Sequence, residues 1–151
     1  MKAFNFIEQI KSIDDEIALI ITIHLYTEYW INRLIEKRSL TGKEILNDHR
    51  IYSFTVKLNL IFNMELIPKD LFSNIKHLNN LRNKYSHEIN YNCADFNFSK
   101  FKNPDPTFSF IDSQIAVREG RIKLKDLIIQ VGIVTFGWLN NICITTHRIN
   151  H

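Results

Sequence analysis

The chain has 151 residues, of which 45% are hydrophobic and 12% aromatic. This composition excludes a disordered chain and predicts one domain, residues 1–151. Four Gly and three Pro are too few for the many turns of an all-β protein, so an all-α fold is expected. The formal net charge of +3 permits an anionic partner but excludes the strongly basic surface of a generic nucleic-acid coat.

Cysteine usage and hydropathy bear on the cellular compartment. Cys93 and Cys143 have no CxxC spacing and form no even-numbered framework, which argues against a zinc site and predicts a reducing environment. The N-terminus lacks the pattern of a signal peptide, and the most apolar run, residues 17–26, is about half as long as a membrane span. We expect a cytoplasmic protein with no metal, no cofactor and no membrane association.

Apolar residues recurring at three- and four-residue steps predict most of the helices. Helices are expected over about residues 3–11, from a cap at Ser12 to residue 38, over 53–64, from Pro68 onward, and over 123–147. Residues 40–50 are expected to be a loop with one helical turn. Residues 92–107 are expected to form an irregular crossing loop, and 108–116 a short strand or extended piece. The predicted architecture is a four- to five-helix up-and-down bundle with this irregular segment before the last helix.

Two polar residues interrupt the predicted buried face of the second helix. His24 shares a heptad position with Ile17, and Glu28 shares one with Ile21. The pair is one helical turn apart but has no further clustered ligands, so a hydrogen-bonded pair in the core is favoured over a metal site.

The main anomaly of the chain is Arg82, which falls in the apolar stripe of the helix that Pro68 opens. It lies seven residues after Ile75 and seven before Ile89. A guanidinium is always charged and is rarely buried without a partner. In an arbitrary protein the charge would pair internally or reach to solvent, while Lys84 and His87 would merely complement the helix C-terminus. We predict that Glu28 pairs with Arg82, which offsets the cost of burying this charge and aims the guanidinium into a functional site.

The segment RNKYSH, residues 82–87, resembles the RN-x-x-x-H motif of HEPN domains (higher eukaryotes and prokaryotes nucleotide-binding). The order of the preceding elements is also similar to that superfamily, in particular to its mannitol-operon-repressor-like members. A long helix with an inward acidic residue leads to an F-x-x-K helix, here Phe54 and Lys57, and then to the motif helix. The resemblance covers about residues 15–91.

This resemblance implies an HEPN-type bundle and a metal-independent endoribonuclease, often the toxin of a toxin–antitoxin pair, with RNA as substrate and its cleft near a homodimer interface. It assigns catalytic roles to Arg82 and Asn83, which would hold the phosphate, and to His87, which would transfer the proton. Glu28, His24 and Lys57 would support the site. Tyr85 is a further supporting candidate that could stack a base, although packing in the core or in a dimer is more usual for such residues.

The spacing of the motif leaves two alternatives open. On an ideal helix Arg82 and His87 are about 140° apart, so either the helix loosens before His87 or the cleft lies across a dimer axis. The rival function is a catalytically inactive HEPN-like regulator that binds a protein or a nucleotide. A DNA-binding repressor is less favoured because no helix-turn-helix with a basic recognition helix is found. The basic run from Arg118 to Lys125 is expected to be a solvated face rather than an RNA track.

Overall fold

The computed structural model describes residues 3–149, with side chains from residue 5 onward. That part of the chain contains seven α-helices and no strand, which confirms the predicted all-α fold. In chain order the helices are α1 (Ala3–Lys11), α2 (Glu16–Arg38), α3 (Gly42–Asn47), α4 (Phe54–Asn63), α5 (Lys69–His87), α6 (Phe110–Arg118) and α7 (Leu124–Thr145).

The helix starts follow local capping chemistry. Asp15 rather than Ser12 caps α2, because its side chain accepts a hydrogen bond from the backbone N–H of Ala18 at 2.7 Å. The backbone N–H of Ser12 instead continues the last turn of α1. Pro68 stands at the N-cap of α5, one residue before the helical position predicted for it. These carboxylate and proline caps fix where the two long site-bearing helices begin.

Helix α2 is the centre of the fold, since α3, α4, α5 and α7 all pack against it. Its buried face includes Ile20, Ile23 and Ile31. The prediction that Ile17 and Ile21 are buried is wrong: their exposed fractions are 44% and 43%. The neighbouring helices surround α2 on the side of Ile23, so the buried face is rotated away from the face that periodicity alone suggests.

Close packing between α2 and α7 depends on one glycine. A Cβ atom on Gly132 would lie 2.7 Å from Cδ1 of the buried Ile23. At Gly137, by contrast, nothing lies within 4 Å of a Cβ placed there. A glycine at position 132 therefore lets the two helices approach.

Helix α7 is long and strongly apolar. Within residues 3–149 it is the one helix whose length and mean hydropathy of 1.7 would allow it to cross a membrane. Its residues Leu127, Val131 and Leu139 are buried against the rest of the bundle. The core helix of a soluble protein has the same length and hydropathy.

The segment between α5 and α6 is irregular, as predicted, and contains two 3₁₀ turns, Cys93–Asp95 and Phe98–Lys100. The prediction of a strand or extended piece over 108–116 is wrong, since most of it is α6. Ser109 caps this helix by accepting from the backbone N–H of Ile111. The buried Gln114 of α6 then holds the loop by donating to the carbonyl of Phe96 and accepting from the backbone N–H of Ser99.

Candidate functional site

His24 lies under the surface between α2, α4 and α5. Its side chain is 5% exposed, its ring packs on Phe54 with centroids 4.2 Å apart, and its Nε2 is 2.9 Å from Oδ1 of Asn79. Burial lowers the pKa of His24, and the nearby charge of Arg82 lowers it further, against the opposing effect of the Asn79 hydrogen bond. A neutral imidazole that donates from Nε2 follows from this setting.

Glu28 pairs with Lys57, not with Arg82. The buried ammonium of Lys57 on α4 lies 2.8 Å from Oε1 of Glu28 and donates at the same distance to Oδ1 of Asn32. The predicted Glu28–Arg82 pair is therefore wrong. Lys57 is one turn after Phe54, so its side chain enters the α2–α4 contact and reaches the carboxylate there.

Arg82 has no carboxylate partner among the described residues. Its side chain is half-buried on the α2 side of α5, and its Nη1 donates to Oδ1 of the adjacent Asn83 at 3.3 Å. Asn79 is one turn before Arg82 and so lies on the same side of α5. The site thus has a guanidinium at the surface, flanked by two amides and a neutral histidine, which is an arrangement suited to an anion.

His87 is exposed and lies on a different side of α5. It is the last helical residue. The turn that contains it is closed by a regular helical hydrogen bond of 2.9 Å from the backbone N–H of Glu88 to the carbonyl of Lys84. The helix does not loosen before His87, so that alternative is wrong. Arg82 and His87 point about 140° apart within one chain, and the structure does not bring the two together in a single cleft.

Tyr85 is packed rather than free. Its ring meets the ring of Tyr91 edge-on, with centroids 5.3 Å apart, and its half-buried side chain packs against the core. Burial raises the pKa of Tyr85 and raises the pKa of Cys93 to about 11. Tyr85 therefore holds the start of the irregular loop against α5, which is the packing role considered above.

Two amides of the cluster, Asn79 and Asn32, were not singled out from the sequence. Asn79 could have been found from its position three residues before Arg82, which places both on one side of α5. Asn32 follows Glu28 by four residues on α2, but only the approach of Lys57 from α4 gives it a role.

No family model, no curated protein and no solved structure matches this chain. Among the described residues, no group of three or more His, Cys, Asp or Glu side chains is placed to hold a metal ion. The site therefore offers its amides, the neutral His24 and the Arg82 guanidinium, which has no carboxylate partner among the described residues.

Proposed function

We propose that the protein is an endoribonuclease of the HEPN type that cleaves RNA without a metal ion. The observation that carries this proposal is that Arg82 has no carboxylate partner among the described residues. Its predicted partner, Glu28, pairs with Lys57, so the guanidinium can hold a phosphate group in a bidentate contact.

The chemistry requires only groups that RNA and this chain supply. The 2′-oxygen attacks the adjacent phosphorus while His87 accepts the 2′-hydroxyl proton. The bond from phosphorus to the 5′-oxygen breaks, and that oxygen takes the proton back from the His87 imidazolium. Arg82 stabilises the additional negative charge on the phosphorus-bound oxygens, while Asn83 orients the phosphate or the imidazole. The products are a 2′,3′-cyclic phosphate and a free 5′-hydroxyl.

The divergence of Arg82 and His87 leads us to place the working site across a homodimer. The exposed side chains of Ile17, Ile21 and Leu25 follow one another at four-residue steps on α2, the helix against which Arg82 lies. An apolar stripe of this kind is a suitable contact for a second copy of the chain. In such a dimer Arg82 of one protomer would work with a histidine of its partner.

In the cell this activity fits a cytoplasmic toxin or defence enzyme. The resemblance to HEPN toxins implies that a bound antitoxin protein restrains this activity, and we place such a protein among its partners.

The first experiment compares wild type with Arg82→Ala and His87→Ala in a bacterial host and in vitro. Wild type should arrest growth and cleave RNA in the presence of EDTA. Each variant should lose cleavage on the order of 100-fold or more, because one removes the phosphate contact and the other the proton transfer. Retained folding is checked by circular dichroism. Wild-type activity that survives both substitutions would contradict the proposal.

A mixing experiment tests the position of the site. If Arg82 and His87 act across the dimer, a mixed dimer of the two inactive variants contains one intact site. Equal mixing followed by subunit exchange should then restore about a quarter of wild-type activity. If the two residues act within one protomer, the mixture stays inactive.

The second candidate function is a catalytically inactive helical module that binds a protein or nucleotide partner. The exposed and unpartnered position of His87, turned away from Arg82, favours it. In that case wild type and both variants are equally harmless in the host.

A further inference from the structure

The outer face of α5 differs in character from the side that holds Arg82. With about 100° per residue, five residues lie within about 80° of one another on this face. They are Lys69, Lys76, Asn80, Asn83 and His87. All but the half-buried Asn83 are exposed. Asn83 belongs both to this row and to the Arg82 cluster, and His87, one turn after Asn83, is the last member of the row.

The irregular loop adds one cation, Lys100, to this row, and hydrogen bonds hold the loop to α5. Asn74, a buried residue of α5, accepts a hydrogen bond from the backbone N–H of Lys102 and donates to its carbonyl, both at 2.7 Å. The 3₁₀ turn that ends at Lys100 is likewise held to α5, where Nε2 of His77 is 2.8 Å from the carbonyl of Asn97. Lys76 and Lys100 together line a cleft of about 160 Å³.

The charges of this face are largely unneutralised. None of Lys69, Lys76, Lys100 and Lys102 forms a salt bridge within the described residues. Lys84, at the edge of the face, pairs at 3.5 Å with Glu88. A chain with a net charge of only +3 thus carries a concentrated positive strip on one helix and the loop bound to it.

We propose that this outer face of α5, with Lys100, is a track that binds single-stranded RNA and leads it to His87. The inference rests on the proposed function and deepens it by assigning the substrate-binding surface. From Lys69 to His87 the track is about 27 Å long, enough for several phosphates of one strand. The amides of Asn80 and Asn83 can hydrogen-bond to ribose or base edges between them.

The composition of the face favours RNA over other anionic partners. No large hydrophobic side chain of α5 is among the exposed ones, so the track lacks the apolar anchors that membrane insertion or a stable protein interface requires. Isolated lysines with interleaved amides suit a backbone of regularly spaced phosphates.

The test measures RNA binding by fluorescence anisotropy with the full chain carrying His87→Ala, which prevents cleavage. The probe is a fluorescein-labelled single-stranded RNA of about 12 nucleotides. Adding Lys76→Gln and Lys100→Gln should weaken binding on the order of tenfold at 0.1 M salt and reduce the slope of log Kd against log salt by about 1.4. The matched control carries Lys43→Gln and Arg50→Gln, which remove the same charge from α3 and the following loop, and should change neither quantity appreciably.

Equal losses in the two double variants would overturn the track, since net charge alone would then explain binding. Binding to phosphatidylserine vesicles with no binding to RNA would overturn it too. The outcomes also separate the two proposals. Lysine-dependent RNA binding by a wild-type protein that never cleaves keeps the track and removes the ribonuclease. Cleavage that depends on Arg82 but is unaffected by Lys76→Gln with Lys100→Gln keeps the ribonuclease and removes the track.

Discussion

Lys57 of α4 donates to the carboxylate of Glu28 on α2 at 2.8 Å, whereas Arg82 has no carboxylate partner among the described residues. Lys57 is 3% exposed while the Glu28 side chain keeps 32% of its surface. The two partners therefore have unequal access to water. The lysine depends on the pair more than the glutamate does.

This inequality predicts the order of three variants. Glu28→Gln leaves a buried ammonium without its counter-charge and should lower the free energy of unfolding by about 3 kcal/mol. Lys57→Met leaves a carboxylate that water can reach and should cost less. The double variant should be more stable than Glu28→Gln alone. Urea denaturation of the four proteins gives the cycle, and additive losses would show that the pair is not coupled.

The apolar stripe on α2 predicts the oligomeric state. Ile21→Arg places a charge in the middle of the proposed contact and should convert a dimer to a monomer in sedimentation equilibrium. It should also abolish RNA cleavage while leaving the helical circular dichroism spectrum intact. Leu40→Arg is the matched control, because Leu40 is 72% exposed in the loop after α2. A wild-type protein that is monomeric at every concentration would count against the shared site.

Acidification should destabilise the fold through the buried His24 and the half-buried His77. Burial lowers the pKa values of His24 and His77 below their ordinary 6.5 in the folded chain. As the pH falls through 6.5, these histidines bind protons in the unfolded chain but not in the folded chain. Their contribution to the free energy of unfolding is therefore fully present above pH 6.5. It is lost as the pH falls from there to the lower pKa values of the folded chain.

The measurement for this pH effect is the urea midpoint at about pH 7.5 and about pH 5.5. His24→Gln should remove part of the loss on acidification, and His24→Gln combined with His77→Gln should remove most of it. The carboxylates whose pKa values are lowered, Asp14 and Asp105, titrate below this range. A double variant as acid-sensitive as wild type would exclude the histidines as the cause.

The two glycines of α7 predict opposite effects of the same substitution. Gly132→Ala forces a methyl group against Ile23 and should destabilise the protein by about 1–2 kcal/mol. Gly137→Ala meets no neighbouring atom and should stabilise the helix by about 0.5–1 kcal/mol, since alanine loses less backbone entropy. Thermal unfolding of both variants compares them directly. Equal shifts would mean that the α2–α7 contact at Gly132 is not tight.

Most helix positions could be predicted because they depend on local chemistry. The three- and four-residue apolar periods of α2, α4, α5 and α7 are properties of neighbouring residues, and the structure confirms those helices. The prediction of an extended piece before the last helix was wrong, and the reason is again local. Ser109 provides a cap and Asp112 an acidic first turn, and these signals outweigh the short apolar alternation around them.

The candidate site was less predictable because its contacts join helices that are distant along the chain. Two properties of Arg82 could be predicted: its position in an apolar stripe and its 140° separation from His87. Both follow from the geometry of one helix. Three features became apparent only when the helices were packed together. Lys57 pairs with Glu28, Asn79 is hydrogen-bonded to His24, and Ile17 and Ile21 face outward. Those outcomes depend on how α2, α4 and α5 are rotated against one another, which is set by packing over the whole bundle and not by the period of any single helix.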